Sequence, residues 1–157
     1  MRLYLLRHGK AEAHNVRDAQ RRLTPAGIRR MERAARVMAR LEIRPARIFS
    51  SPRVRSRQTA DIVAATLGVE VEERQALDYG FSAADLPALL YELPSDADLL
   101  CVGHNPFLPI VVQELSGAQV SMKPGGLARL KLDPGARHGI LEWLITPRVF
   151  DALETRG

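Results

Sequence analysis

Arg2-Leu3-Tyr4-Leu5-Leu6-Arg7-His8-Gly9, at the start of the chain, is an apolar run that stops abruptly at a cation, an imidazole and a glycine. Such a continuous run predicts a parallel strand buried on both faces, since a strand with one wet face would alternate. The pattern returns twice. Ile48-Phe49 runs into Ser50-Ser51-Pro52, and Leu99-Leu100-Cys101-Val102 runs into Gly103-His104-Asn105-Pro106. Helical periods fill the intervals. Thr24 is suited to cap a helix with Pro25 in its first turn, and Ile28, Met31, Ala35, Met38 and Leu41 follow at steps of three and four. Ser51-Pro52 repeats the start signal, with Gly68 placed to stop that helix. Ser82 and Asp85 frame a capping-box start for a helix to about Leu93, and Asn105-Pro106 opens another towards Gly117.

The last third changes character. Leu127 to Leu132 alternates apolar and basic residues, Gly139 to Ile145 is again apolar, and Asp133-Pro134-Gly135 between them is a turn, so a hairpin is expected. Strand and helix alternating four times before a hairpin predicts an α/β, three-layer fold: a mainly parallel central sheet flanked by helices, with an antiparallel edge hairpin near the C-terminus. At 157 residues, without internal repeat or linker, one domain over 1–157 is expected, with 147–157 as a surface tail.

Composition narrows the function classes. With 46% hydrophobic and 26% charged residues the chain can bury a core and lacks the signature of disorder. No apolar stretch reaches the roughly 18 residues of a membrane span, and the first run meets Arg7-His8 too early for a signal peptide. Cys101 is the only cysteine, so no internal disulfide can form and a cytoplasmic protein is expected. The net charge is +5, and all but Lys10, Lys123 and Lys131 of the 23 basic residues are arginine, whose planar fork suits oxyanions. Only 5% of residues are aromatic, which argues against nucleic acid as the partner.

In open α/β sheets, ligands bind beyond the carboxyl ends of the strands. Arg7-His8-Gly9, the segment Ser50 to Ala60 and Gly103-His104-Asn105 all follow predicted strands, so two histidines and several arginines should meet at one crevice beside helix N-termini. That combination reads as a phosphate pocket containing a nucleophile.

These three segments resemble the histidine phosphatase superfamily: Arg7-His8-Gly9 after the first strand, Ser51-Pro52 with Arg55 and Gln58-Thr59-Ala60, and Gly103-His104 before a helix. The short chain and the Leu23-Thr24-Pro25-Ala26-Gly27 helix start are similar to the SixA-type phosphohistidine phosphatases. The resemblance implies a metal-independent phosphatase without cofactor. His8 would attack phosphorus and carry a transient phosphohistidine, with its second ring nitrogen donating to a backbone carbonyl. Arg7, Arg55 and a protonated His104 would hold the phosphoryl oxygens. The implied substrate is a phosphorylated protein, notably a phosphohistidine domain. A monomer is expected. The alternatives are a small phosphate ester as substrate, or a non-catalytic phosphoprotein-binding module.

Other residues receive plainer expectations. Gly9 should let a ligand approach closely, and Lys10 should be a solvated loop lysine. Arg53, Arg57 and the arginine stripe from Arg29 to Arg40 should be solvated. His14 and His138 match no motif, Cys101 reads as an inert core thiol, and Trp143 reads as packing. The carboxylate that many superfamily members place after the second histidine is replaced here by Asn105, which leaves Asp18 and Asp78 as candidates for a general acid. A shallow, open pocket without a lid is expected from the short connections.

Overall fold

The computed structural model describes residues 1–14 and 17–154. Its central sheet has six strands: β1 (Arg2–Arg7), β2 (Arg47–Ser50), β3 (Val71–Glu73), β4 (Leu99–Gly103), β5 (Leu127–Leu132) and β6 (Gly139–Ile145). The order across the sheet is β3-β2-β4-β1-β5-β6. Strands β1, β2, β3 and β4 run parallel, with Leu5 opposite Cys101 and Phe49 opposite Cys101, while β5 and β6 add an antiparallel pair at one edge. The α/β prediction, including the edge hairpin, matches this arrangement.

The continuous apolar runs have the cause expected of them. Side chains alternate across a strand, so Leu3 and Leu5 enter one core layer with Leu99, Cys101, Leu108 and Val112, while Tyr4 and Leu6 enter the other with Met31, Met38, Ile48 and Val63. Five helices cover the sheet: α1 (Pro25–Arg40), α2 (Val54–Leu67), α3 (Leu86–Tyr91), α4 (Phe107–Ser116) and α5 (Pro147–Glu154). Thr24 caps α1, its hydroxyl accepting from the Gly27 amide at 3.0 Å, and Gly68 and Gly117 end α2 and α4 at positive φ. Asp85 accepts from the Ser82 amide at 2.9 Å, closing the predicted capping signal ahead of α3.

Three expectations are corrected. The segment after Pro147 is not a surface tail: residues 147–154 form α5, whose Phe150 is 1% exposed among Met31, Met38 and Val63. Nor is the arginine stripe simply solvated, because Arg30 donates to Asp151 at 2.8 Å and Arg36 to Glu154 at 2.9 Å, while Arg40 donates to the Leu153 carbonyl. Those pairs are part-exposed and worth under about 1 kcal/mol each; burying Phe150, at roughly 1.5–3 kcal/mol, is the larger force holding α5. Finally, α2 starts at Val54 rather than Ser51-Pro52, because the Ser51 hydroxyl has other partners at the site.

Candidate active site

The carboxyl ends of β1, β2 and β4 meet as expected. The His8 amide donates to the Gly103 carbonyl at 3.1 Å and the Ser51 amide to that of Val102 at 3.0 Å, so the two predicted histidine segments and the arginine segment share one rim. There Arg7, His8, Arg55 and His104 line a cavity of 230 Å³ open to solvent, together with Lys10, Arg21, Tyr79 and Asn105. No carboxylate side chain among the described residues lines it.

The hydrogen bonds determine the tautomer of His8. An arginine can only donate, and Arg55 Nε lies 3.3 Å from His8 Nε2, so Nε2 carries the lone pair. The proton is then on Nδ1, which donates to the Gly9 carbonyl at 2.8 Å. Burial lowers the His8 pKa to about 4, against the Gly9 bond that raises it, and Arg55, Arg7 and Arg21 lower it further. The ring is therefore neutral at pH 7 with a nucleophilic nitrogen facing the arginines.

Residues that match the superfamily motif without touching the cavity hold this loop in place. The Gly9 amide donates to Thr59 Oγ1 at 3.0 Å, and the Thr59 hydroxyl donates to the Arg55 carbonyl at 2.8 Å. Gln58 accepts from the Leu23 amide at 2.8 Å, and Ala60 is buried. Gly9 is also closely packed: a Cβ there would lie 2.7 Å from the Met31 side chain of α1.

His104 is placed by Ser51. Ser51 Oγ accepts from the Arg53 amide at 3.3 Å and sits 2.7 Å from His104 Nε2. A hydroxyl that donates to Nε2 leaves the proton on Nδ1, which is buried without a partner. Burial lowers the His104 pKa to about 3, with His8, Arg55 and Arg53 adding to the fall. In that tautomer a neutral His104 has an N–H to offer an oxyanion; an incoming phosphate dianion would favour its protonation, which supplies one in either tautomer. Its ring centroid lies 5.3 Å from that of His8. Arg7 donates to the Met122 carbonyl at 2.8 Å and keeps its Nε buried and unpartnered, while burial and Arg55 lower its pKa.

Asp18 and Asp78 do not face the cavity as protonated acids. Asp18 accepts from the Tyr79 hydroxyl at 2.6 Å, from Arg53 at 2.7 Å and from Arg21 at 2.9 Å; the Tyr79 bond first, then Arg55 and Arg21, hold its pKa at about 2 against burial. Asp78 is raised by burial but lowered more by Arg53, which donates to it at 2.5 Å. Arg53 is accordingly no solvated residue: it bridges both carboxylates and stacks 3.7 Å from the Tyr79 ring centroid. Arg57 stays at the surface, paired with Asp61 and Glu73. Lys10 is exposed and borders the cavity; His14 and His138 are exposed and lie outside its lining. Cys101 is fully buried in β4, and burial pushes its thiol pKa well up, which leaves it inert.

Sequence reasoning missed Tyr79 and Arg21. The Tyr79 hydroxyl accepts from Arg55 at 2.7 Å, and its ring stands edge-on to His104 with centroids 5.1 Å apart. Only the adjacent Asp78 gave a signal in the sequence, and it pointed to the wrong side chain.

The histidine phosphatase superfamily (branch 1) model matches residues 3–78. An uncharacterized protein of a Picosynechococcus species is 34% identical over 83% of this chain and 85% of its own. The putative phosphohistidine phosphatase SixA of Nakamurella multipartitia is 28% identical, covering 93% of this chain and 95% of that one, with a TM-score of 0.77. A tungstate complex of the protein histidine phosphatase SixA superposes with a TM-score of 0.86 at 24% identity, over 94% and 98% of the two chains. The fold is shared as well by a phosphoserine phosphatase of Entamoeba histolytica, with a TM-score of 0.74 at 17% identity over 94% and 98%.

Proposed function

Given that the chain belongs to the histidine phosphatase superfamily, we propose that it is a phosphohistidine phosphatase acting on proteins, with His8 as nucleophile. The observation that carries this reading is the pairing of a neutral His8, its Nδ1 proton held by Gly9, with a cavity that has four cations and no protonated acid. In the first step the His8 Nε2 lone pair forms a bond to phosphorus as the bond to the substrate's leaving group breaks. Arg7, Arg55 and the His104 Nδ1 proton neutralise charge developing on the phosphoryl oxygens. Arg55 Nε must then leave His8 Nε2 and turn to an oxygen. In the second step water attacks phosphorus, the P–N bond breaks, and His8 leaves as neutral imidazole. Its Nδ1 proton stays in place throughout, so this step needs no acid.

The same property selects the substrate. A phosphohistidine substrate can take a proton from solvent on its unsubstituted ring nitrogen and leave as neutral imidazole, whereas an alkoxide must be protonated in the transition state. With Asp18 and Asp78 both ionised, imidazole leaving groups are favoured. A phosphoserine phosphatase shares the fold, so a small phosphate ester belongs in the same assay.

The test is a substrate panel of phosphohistidine protein, phosphoserine peptide, a sugar phosphate and p-nitrophenyl phosphate, run with and without EDTA. Phosphohistidine and the aryl ester should be cleaved efficiently in EDTA, with label trapped on His8 by rapid quench. His8→Ala should abolish turnover, and Arg55→Ala or His104→Ala should lower kcat by about 10²-fold or more. Robust turnover by His8→Ala would defeat the mechanism, and faster cleavage of alkyl phosphate than of phosphohistidine would defeat the substrate.

A further inference from the structure

A second cavity, of 330 Å³, lies beside the first and has no part in the chemistry described above. Lys10 and Pro124 line both, and Gly9, directly after the nucleophile, lines the second, so the two are contiguous. The floor of the second cavity is apolar, formed by Met31 and Ala34 of α1 and by Pro147 and Phe150 of α5. Lys10, Arg30, Lys123 and Arg148 surround it, and no carboxylate side chain among the described residues lines it. Arg30 is paired with Asp151, whereas Lys10, Lys123 and Arg148 are exposed.

We propose that this cavity is a specificity subsite for a substrate protein: it takes an apolar side chain near the phosphorylated residue, while acidic side chains of that protein meet Lys10, Lys123 and Arg148. The proposal rests on the protein-substrate half of the reading above and is independent of which residue carries the phosphoryl group. Two features specify the occupant. An apolar floor offers nothing to the hydroxyls of a small polar phosphate ester, but a leucine buried there is worth about tenfold or more in binding. The positive rim, unrelieved by any lining carboxylate, complements a polypeptide with acidic residues around that leucine.

The experiment walks a leucine through the four positions on either side of the phosphorylated residue in a Gly/Glu host peptide, made once with phosphohistidine and once with phosphoserine. In the wild type, leucine at one or two positions should raise kcat/KM about tenfold over glycine. Ala34→Phe fills the floor, so that ratio should fall to about one. Combined Lys123→Glu and Arg148→Glu should reverse a preference for Glu over Lys in the host and leave the leucine effect. Ratios within one preparation cancel any loss of folded enzyme. If Ala34→Phe does not fold, the exposed charge-reversal variant decides alone.

A flat leucine scan in the wild type overturns the subsite, as does a leucine preference surviving Ala34→Phe or a Glu preference surviving the charge reversal. A leucine effect seen only on cleaved phosphoserine peptides keeps the subsite and removes the phosphohistidine reading. Cleaved phosphohistidine peptides with a flat scan do the reverse, and refusal of every peptide overturns both.

Discussion

Burial is what fits His8 for the role proposed for it. Left in water its pKa near 6.5 would leave part of it protonated near neutral pH; burial beside Arg55 and Arg7 lowers it to about 4 and keeps the lone pair available. The two carboxylates are shifted towards the ionised form, against the role first considered for them. The Tyr79 hydroxyl with Arg55 and Arg21 holds Asp18 near 2, and Arg53 holds Asp78 below its usual range. Asp18→Asn and Asp78→Asn should therefore slow alkyl and aryl phosphates by the same factor, because neither side chain supplies a proton. Parallel kinetics on phosphoserine peptide and p-nitrophenyl phosphate check this. A defect confined to the alkyl ester would identify the mutated residue as the acid.

At the scale of elements, α5 and α1 form a unit whose strength lies in its apolar contact. Phe150→Ala removes a ring that is 1% exposed and should destabilise the protein by about 3–5 kcal/mol. Arg36→Ala breaks a part-exposed pair with Glu154 and should cost under about 1 kcal/mol. Urea unfolding of both variants measures the contrast; equal losses would mean that the ion pairs, not the ring, hold the helix. The same packing shapes the second cavity, since Phe150 and Pro147 form one side of it and Met31 and Ala34 the other. Loss of α5 should thus remove any leucine preference even where His8 chemistry persists.

For the whole molecule, the buried histidines link stability to pH. The unfolded chain binds protons on them near pH 6.5, whereas the folded chain resists until about pH 4 at His8 and about pH 3 at His104. Between those limits the unfolded state holds more protons, so stability falls as pH is lowered from 6.5, by up to about 1.4 kcal/mol per pH unit for each histidine. Above pH 6.5 the two make no difference. Asp18, with its pKa lowered to about 2, extends the loss in the same direction below the ordinary aspartate range. Urea midpoints measured from pH 4 to pH 8 should show this slope, and His8→Gln or His104→Gln should flatten it. A midpoint independent of pH in the wild type between 6.5 and 4 would contradict the burial argument. No helix among the described residues is long and apolar enough to cross a membrane.

The sequence alone determined the order of the strands and of the first four helices, the hairpin, and the position of His8 and His104 at strand ends and of Arg55 at a helix start, because those features are written in local signals: apolar runs, a capping threonine with proline, stop glycines. The alternation calls for a strand between α2 and α3, but no apolar run locates it, because Val71-Glu72-Glu73 of β3 lies at a part-exposed edge. Only the tertiary structure decided that Arg53 bridges Asp18 and Asp78, that Tyr79 stands over His104, that Gly9 makes room for Met31, and that residues 147–154 are a helix docked on an arginine face. Each of these joins residues distant along the chain, and the ionisation of each group depends on the desolvation and charge that several elements supply together, which no local stretch of sequence contains.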